Sequence, residues 1–132
     1  MDAYLPILVS EVPCGFPSPA ADSSEEHIDL EAYLVRHPYN TCCVRARGDS
    51  MIGAQIADGD ILLVDRQVRP KSGDIVLAMY DGAFVVKRLI WDKGCPVLHA
   101  ENPAYRDIRV ADGEALVISG VVVGLVRKMA RQ

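Results

Sequence analysis

The feature that most constrains the fold of this 132-residue chain is a succession of short apolar runs, each closed by turn-forming residues. Asp81-Gly82 separates two of these runs, and Asp-Gly between apolar runs is a strong signal for a β-hairpin. The pattern predicts strands at residues 61–64, 74–80, 83–91, 97–100, 108–110 and 116–126. Gly120 and Gly124 in the last run predict bends or bulges. We therefore expect a mainly β fold, a compact curled β-sheet or barrel-like domain.

The N-terminal part of the chain has a different composition. Four prolines fall within residues 1–24: Pro6, Pro13, Pro17 and Pro19. Prolines at this density exclude a long helix and a central strand. We expect residues 1–24 to form an extended N-terminal arm ahead of a β-rich domain over residues 25–132. One short helix is predicted near residues 29–37, with Asp29 as its N-cap and Pro38 ending it.

Charge and composition exclude several classes of protein. The net charge is −4, the pI is about 5.3, and the basic residues are scattered. These properties argue against sequence-independent binding of nucleic acid. The four cysteines have no CxxC spacing, so neither a zinc site nor a disulfide framework is indicated. No run approaches the roughly 18 apolar residues of a membrane span, and the N-terminus lacks the core of a signal peptide. We expect a cytoplasmic protein with reduced thiols, without cofactor, metal, membrane contact or sequence-specific DNA binding.

Chemistry is suggested by the stretch Val-Arg-Ala-Arg-Gly-Asp-Ser-Met, which ends at Met51. Gly48 permits a sharp turn after a short strand, and such a turn lifts the Ser50 hydroxyl away from the sheet. A nucleophile needs that exposure, and backbone N–H groups at the turn can face a developing oxyanion. A solvated Gly-Asp-Ser turn without catalysis is the simpler interpretation of the triplet alone. The decisive question is which residue would act as the base for Ser50.

Lysine and histidine are the two candidates for that base. No accompanying aspartate stands out in the sequence to orient His27, His37 or His99, so a Ser-His-Asp triad is disfavoured. Three of the four lysines lie in turns or in the C-terminal tail, whereas Lys87 lies within an apolar strand between Val85 and Leu89. Burial disfavours the ammonium form, so Lys87 could be neutral and accept the Ser50 proton. A strand lysine that extends its ammonium group to water is the structural alternative.

Several ordered motifs together resemble the LexA/UmuD group of serine–lysine self-cleaving proteins. They are Gly48-Asp49-Ser50-Met51, Asp58-Gly59-Asp60-Ile61, Gly73-Asp74-Ile75-Val76 and Phe84-Val85-Val86-Lys87-Arg88-Leu89. Upstream, Cys14-Gly15-Phe16-Pro17-Ser18-Pro19-Ala20 resembles the cleavage segment of the UmuD branch. The resemblance implies a catalytic domain of the LexA and signal-peptidase type, with Ser50 as nucleophile and Lys87 as general base. It also implies Cys14–Gly15 as the bond that is cut and the Ser50 and Met51 backbone amides as oxyanion donors.

The resemblance carries a biological expectation as well. UmuD-type proteins are homodimers that lose their arm when a RecA filament on single-stranded DNA stimulates them, and the shortened form joins a UmuC-type polymerase for error-prone translesion synthesis. By this resemblance the arm ahead of Cys14 looks shorter than in other members, which leaves open how well it docks and whether cleavage occurs within a subunit or between partners. Thirteen mostly extended residues do not provide the helix-turn-helix domain of LexA-type repressors, and a membrane anchor of the signal-peptidase kind is not expected. The alternative is a non-catalytic β-module that dimerises or binds a polymerase. A fragment beginning at Gly15 would distinguish self-cleavage from that alternative.

Overall fold

The structure is a computed structural model that describes residues 4–8, 12, 14–15 and 25–130. The chain divides into two compact units, Met1–Arg36 and His37–Gln132. In the first unit, strand β1 (Tyr4–Leu8) pairs antiparallel with strand β2 (Glu25–Asp29). A two-stranded sheet has only edge strands, so it tolerates the proline at position 6. Most of the predicted arm, residues 1–24, lies outside the described residues, and its boundary stays a prediction.

The first unit ends with the predicted helix, in a shorter form. Helix α1 spans Leu30–Leu34, and the Asp29 side chain accepts a hydrogen bond from Ala32 N at 3.1 Å, which confirms Asp29 as the N-cap. The helix was expected to continue toward Pro38. It ends at Leu34: the C-cap Val35 is extended, and its N–H donates to Glu31 O at 2.7 Å, which closes the last turn.

The second unit is built on one antiparallel sheet of seven strands. These are β3 (Thr41–Arg45), β4 (Ile61–Asp65), β5 (Ile75–Tyr80), β6 (Ala83–Asp92), β7 (Cys95–His99), β8 (Ile108–Arg109) and β9 (Leu116–Val126). Their order across the sheet is β3-β4-β9-β5-β6-β7-β8. The prediction of a mainly β fold with one short helix is confirmed. In the part of the chain that the structure describes, the sheet is open, with β3 and β8 at its edges.

Turns and bulges give the sheet its connections and curvature. Asp81 and Gly82 both have positive φ angles, 49° and 82°, as a two-residue hairpin turn between β5 and β6 requires. The register of β9 shifts beside both of its glycines, opposite Leu63/Val64 on β4 and opposite Leu77/Ala78 on β5. The predicted irregularities at Gly120 and Gly124 are therefore confirmed. A bulge bends its strand and increases the local twist, which curves the sheet.

Two groups of buried apolar residues support the sheet. The larger contains Val76, Ala78, Leu89, Leu98, Val110 and Val121, and the smaller contains Met51, Ile56 and Leu62. Because Met51 directly follows Ser50 and is only 4% exposed, the smaller group anchors the chain beside that serine. Among the described residues, none of the helices combines the length and the apolar character that crossing a membrane demands.

Candidate active site

Ser50 lies in an irregular turn between β3 and a short 3-10 segment, Ile52–Ala54. Gly48 has a φ of 88°, which favours glycine, and its N–H donates to Asp58 Oδ1 at 2.7 Å. Before the turn, Ala46 continues the pairing of β3, because its N–H donates to Asp60 O at 2.7 Å. The turn is thus fixed at both ends, by backbone pairing before Gly48 and by burial of Met51 after Ser50.

Two backbone N–H groups of this turn have no acceptor in the backbone network. In the backbone–backbone hydrogen bonds of residues 25–130, neither the Ser50 N–H nor the Met51 N–H acts as a donor. Adjacent N–H groups of this kind can bind an oxygen that develops negative charge.

Lys87 lies within β6, opposite Val76 on β5. Its Nζ is 2.9 Å from Ser50 Oγ, so the structure brings these two predicted site residues into direct contact. Both side chains are half-buried. Burial lowers the pKa of Lys87, because the ammonium form loses hydration there. The side chain does not extend to solvent as an isolated cation, and its amine is directed at a hydroxyl group.

Ser50 and Lys87 share a groove of about 630 Å³ within the second unit. Its apolar lining includes Val44, Ile56, Val64, Leu77, Val85 and Val86. Three arginines, Arg45, Arg47 and Arg66, also line it. A volume of this size falls in the range of sites that hold a small molecule or a short peptide segment. The groove therefore presents a hydroxyl and an amine at 2.9 Å to a ligand of mixed apolar and polar character.

Comparison with known proteins identifies the family. The sequence profile described as Peptidase S24-like matches residues 6–123. The chain belongs to that family. It is 45% identical to Protein SamA of Salmonella typhimurium, over 93% of this chain and 85% of that protein. It is 38% identical to Protein ImpA of Escherichia coli, over 96% of this chain and 87% of that protein.

A LexA repressor is also similar to this chain. The LexA repressor of Verrucomicrobium spinosum is 40% identical over 88% of this chain, which corresponds to 57% of the repressor. These similarities confirm the resemblance to the LexA/UmuD group that the sequence motifs indicated. The chain is therefore a member of a family of serine peptidases.

Two histidines of this S24-like chain contact aspartates and not Ser50. His37 Nδ1 lies 2.6 Å from Oδ2 of the buried Asp65, and His99 Nδ1 lies 2.6 Å from Asp107 Oδ1. Within the second unit, neither histidine is among the residues that line the groove. The burial of Asp65 alone would raise its pKa, but hydrogen bonds from His37 and from the backbone of Gln67 lower it overall. These histidines thus stabilise the structure around aspartates and do not contact Ser50.

The loop after β7 contributes residues that sequence reasoning missed. Tyr105 donates its hydroxyl hydrogen to Asp49 Oδ1 at 2.6 Å, and Asn102 Nδ2 donates to Asp49 O at 3.0 Å. Gly53 N donates to Glu101 O at 2.8 Å. The Asn-Pro pair at 102–103 indicates a turn, but only the pairing of distant strands brings that turn beside Ser50.

An ion pair between the buried Asp60 and the exposed Arg127 was also missed. Asp60 is 1% exposed, and Arg127 donates to both of its carboxylate oxygens at 2.6 Å. Hydrogen bonding from Arg127, and then from Ala57 N, lowers the pKa of Asp60 to about 2. Arg127 also donates to Gln55 O at 3.0 Å, so the pair fixes the loop between the 3-10 segment and β4.

The predicted cleavage segment belongs to the first unit. Cys14 and Gly15 are exposed, and residue 13 and residues 16–24 lie outside the described residues. The thiols of Cys14, Cys42, Cys43 and Cys95 are free.

Proposed function

We propose that this chain is a self-cleaving SOS-mutagenesis protein that cuts its own Cys14–Gly15 bond. Ser50 is the nucleophile and Lys87 the general base. The observation that carries this proposal is the 2.9 Å contact between Lys87 Nζ and Ser50 Oγ, made in a groove that lowers the pKa of the lysine. Membership in the Peptidase S24-like family supports the same chemistry.

The reaction follows from the proton affinities of the two groups. Neutral Lys87 takes the Ser50 proton as Oγ attacks the carbonyl carbon of Cys14, and the Ser50 and Met51 N–H groups stabilise the oxyanion. Protonated Lys87 then gives its proton to the leaving amine of Gly15, and the peptide bond breaks. Water hydrolyses the resulting ester at Ser50, again with Lys87 accepting a proton. Arginine could not replace Lys87, because a guanidinium does not lose its proton in proteins.

Tethering explains how a modest catalyst could suffice. A cleavable segment on the same protein is present at a high effective concentration, so little intrinsic affinity is required. The rate is then limited by how often the segment occupies the groove in the productive pose. In this proposal the protein acts as a cytoplasmic homodimer, and a RecA filament on single-stranded DNA stimulates the cut. The shortened form then joins a UmuC-type polymerase in translesion synthesis.

The direct test is to identify the new N-terminus. Purified chain is incubated with RecA, single-stranded DNA and a nucleotide triphosphate, then analysed by intact mass and N-terminal sequencing. We expect a fragment that begins at Gly15. Ser50→Ala should give only full-length chain with an unchanged thermal melt, because Ser50 contributes one side-chain hydrogen bond to the fold.

Two results would contradict the proposal. A normal yield of the Gly15 fragment from Ser50→Ala would remove Ser50 from the mechanism. An intact parent chain under all activating conditions would favour the non-catalytic module that dimerises or binds a polymerase. Gly15→Glu serves as a substrate-side control. It should block cutting, because it places bulk and charge at the scissile bond while leaving Ser50 and Lys87 unchanged.

A further inference from the structure

We propose that Tyr105 is a positioning residue for Ser50 and Lys87, an assignment that rests on the function proposed above. Its ring centroid lies 5.6 Å from Lys87 Nζ. Its hydroxyl donates to Oδ1 of Asp49, the residue before Ser50, at 2.6 Å. One side chain therefore contacts the lysine directly and the serine through its neighbour in sequence.

The hydroxyl contact acts on the turn that carries Ser50. Asp49 is held at two atoms, because Tyr105 binds its carboxylate and Asn102 Nδ2 binds its carbonyl oxygen at 3.0 Å. The turn is also tied to the same loop at Gly53, whose N–H donates to Glu101 O at 2.8 Å. A Cβ at Gly53 would lie 2.6 Å from that oxygen, so the approach is close. The loop 101–105 thus fixes the turn on both sides of Ser50.

The loop has its own internal hydrogen bonds, so the position of Tyr105 does not depend on Ser50 or Lys87. Asn102 Oδ1 accepts from Ala104 N at 3.0 Å, and Asn102 O accepts from Tyr105 N at 3.0 Å. Arg88, the neighbour of Lys87 on β6, forms an ion pair with Glu101. The loop is therefore anchored to the same strand that carries the lysine.

The ring contact acts on the proton of Lys87. An ammonium group over an aromatic face is attracted by the ring quadrupole, which favours the charged lysine. Burial favours the neutral lysine, so the ring and the burial have opposite effects on the pH at which the base becomes available. The hydrogen bond to Asp49 raises the pKa of Tyr105, which favours the protonated phenol that donates this bond. The charged and titratable groups around Lys87 include Arg45, Arg47 and Arg66 in the groove, Arg88 on its own strand, and Asp49 and Glu101. They also include His99 on β7, whose Nε2 lies 3.9 Å from Glu101 Oε1.

Two substitutions separate the ring from the hydroxyl. Tyr105→Phe keeps the ring and removes the hydrogen bond to Asp49, whereas Tyr105→Leu removes both. Tyr105 is 45% exposed, so neither change opens a buried cavity. Tyr39→Phe is the matched control, because Tyr39 is 99% exposed.

The ring is tested by NMR titration of full-length chain labelled with ¹³C at lysine Cε, in which Lys87→Arg assigns the Lys87 signal among the four lysines. We expect the Lys87 midpoint to fall by about half a pH unit in Tyr105→Leu. In Tyr105→Phe it should stay at the parental value. An unchanged midpoint in the leucine variant, or equal shifts in both variants, overturns the role of the ring. This measurement does not depend on cleavage, so it decides the ring contact even if the proposed function fails.

The hydroxyl is tested by the rate of self-cleavage and by amide hydrogen exchange at Ser50 and Met51. Tyr105→Phe should slow cleavage about fivefold at every pH and speed exchange at both amides, as loss of one hydrogen bond predicts. Asp49→Ala should have the same effect, and the double variant should be no slower than either single one, because all three delete the same bond. Unchanged exchange in Tyr105→Phe, or losses that add in the double variant, overturns this role. Exchange remains measurable if the parent chain never cuts.

Discussion

Ser50 and Lys87 are 2.9 Å apart, yet they are held by different kinds of support. Lys87 lies within a ten-residue strand that pairs with β5 on one side and with β7 on the other. Ser50 lies in a turn whose position depends on side chains from distant segments, Asp58 and Tyr105 among them. Regular pairing distributes support over many hydrogen bonds, whereas the turn relies on a few. We therefore expect that a single substitution can displace Ser50, whereas displacing Lys87 requires disruption of the sheet.

The largest expected effect isolates the lysine half of this comparison. Because burial lowers the pKa of Lys87, the neutral base becomes populated below the pH at which a solvated lysine titrates. The rate of uninduced self-cleavage should rise with pH from neutrality and level off below about pH 10.4. Lys87→Arg should remove this profile and lower the rate at least about 100-fold, because it supplies no base. The rates are measured by intact mass across a pH series.

Two outcomes would contradict the lysine base. A parental profile that saturates near pH 7 would indicate a histidine, whose unperturbed pKa is about 6.5. An arginine variant that still cuts at the parental rate would exclude proton transfer through position 87.

The next effect concerns the sheet that supports Lys87. Gly120 on β9 lies opposite Leu77 on β5, and a Cβ there would lie 2.6 Å from Val64 Cγ1 and 2.9 Å from Asp65 O. Gly120→Val should therefore lower the free energy of unfolding by about 3 kcal/mol, as overpacking does. Val117→Ala, an exposed change on the same strand, should alter it by less than about 0.5 kcal/mol. Urea denaturation measures both, and equal stabilities would show that the sheet has space at Gly120.

The sequence predicted the structure around Lys87 better than that around Ser50, because regular strands leave a local pattern and the contacts of an irregular turn do not. The apolar alternation around Lys87 and the Asp81-Gly82 hairpin are local signals, so β5, β6 and the long strand β9 could be placed from the sequence. The contacts of Tyr105 and Asn102 with Asp49 join residues more than fifty positions apart, and no local pattern encodes them. The structure brings Ser50 and Lys87 together, while their catalytic roles and the cut at Cys14–Gly15 stay predictions.

A smaller effect concerns the ion pair between Asp60 and Arg127. Arg127→Gln should lower the melting temperature at pH 7, because it leaves the buried Asp60 carboxylate without its cation. The pair also predicts a pH dependence. Asp60 has a pKa of about 2 in the folded chain against 3.8 for the ordinary group, so its contribution is complete above pH 3.8 and is lost as the pH falls toward 2. The parent and Arg127→Gln should therefore converge in acid, whereas a constant difference from pH 7 to pH 2 would contradict the pair.

The smallest effect tests the turn alone. Asp58→Ala removes the acceptor for Gly48 N–H, a hydrogen bond of 2.7 Å at an exposed position. Loss of one such bond corresponds to about 1 kcal/mol, which is about a fivefold change in the population of the correctly placed turn. Self-cleavage should slow by about that factor, while the thermal melt stays near that of the exposed control Asp112→Ala, because the sheet does not depend on this contact. A melt that falls as far as that of Gly120→Val would show that the turn and the sheet form one cooperative support, and the distinction between Ser50 and Lys87 would then be wrong.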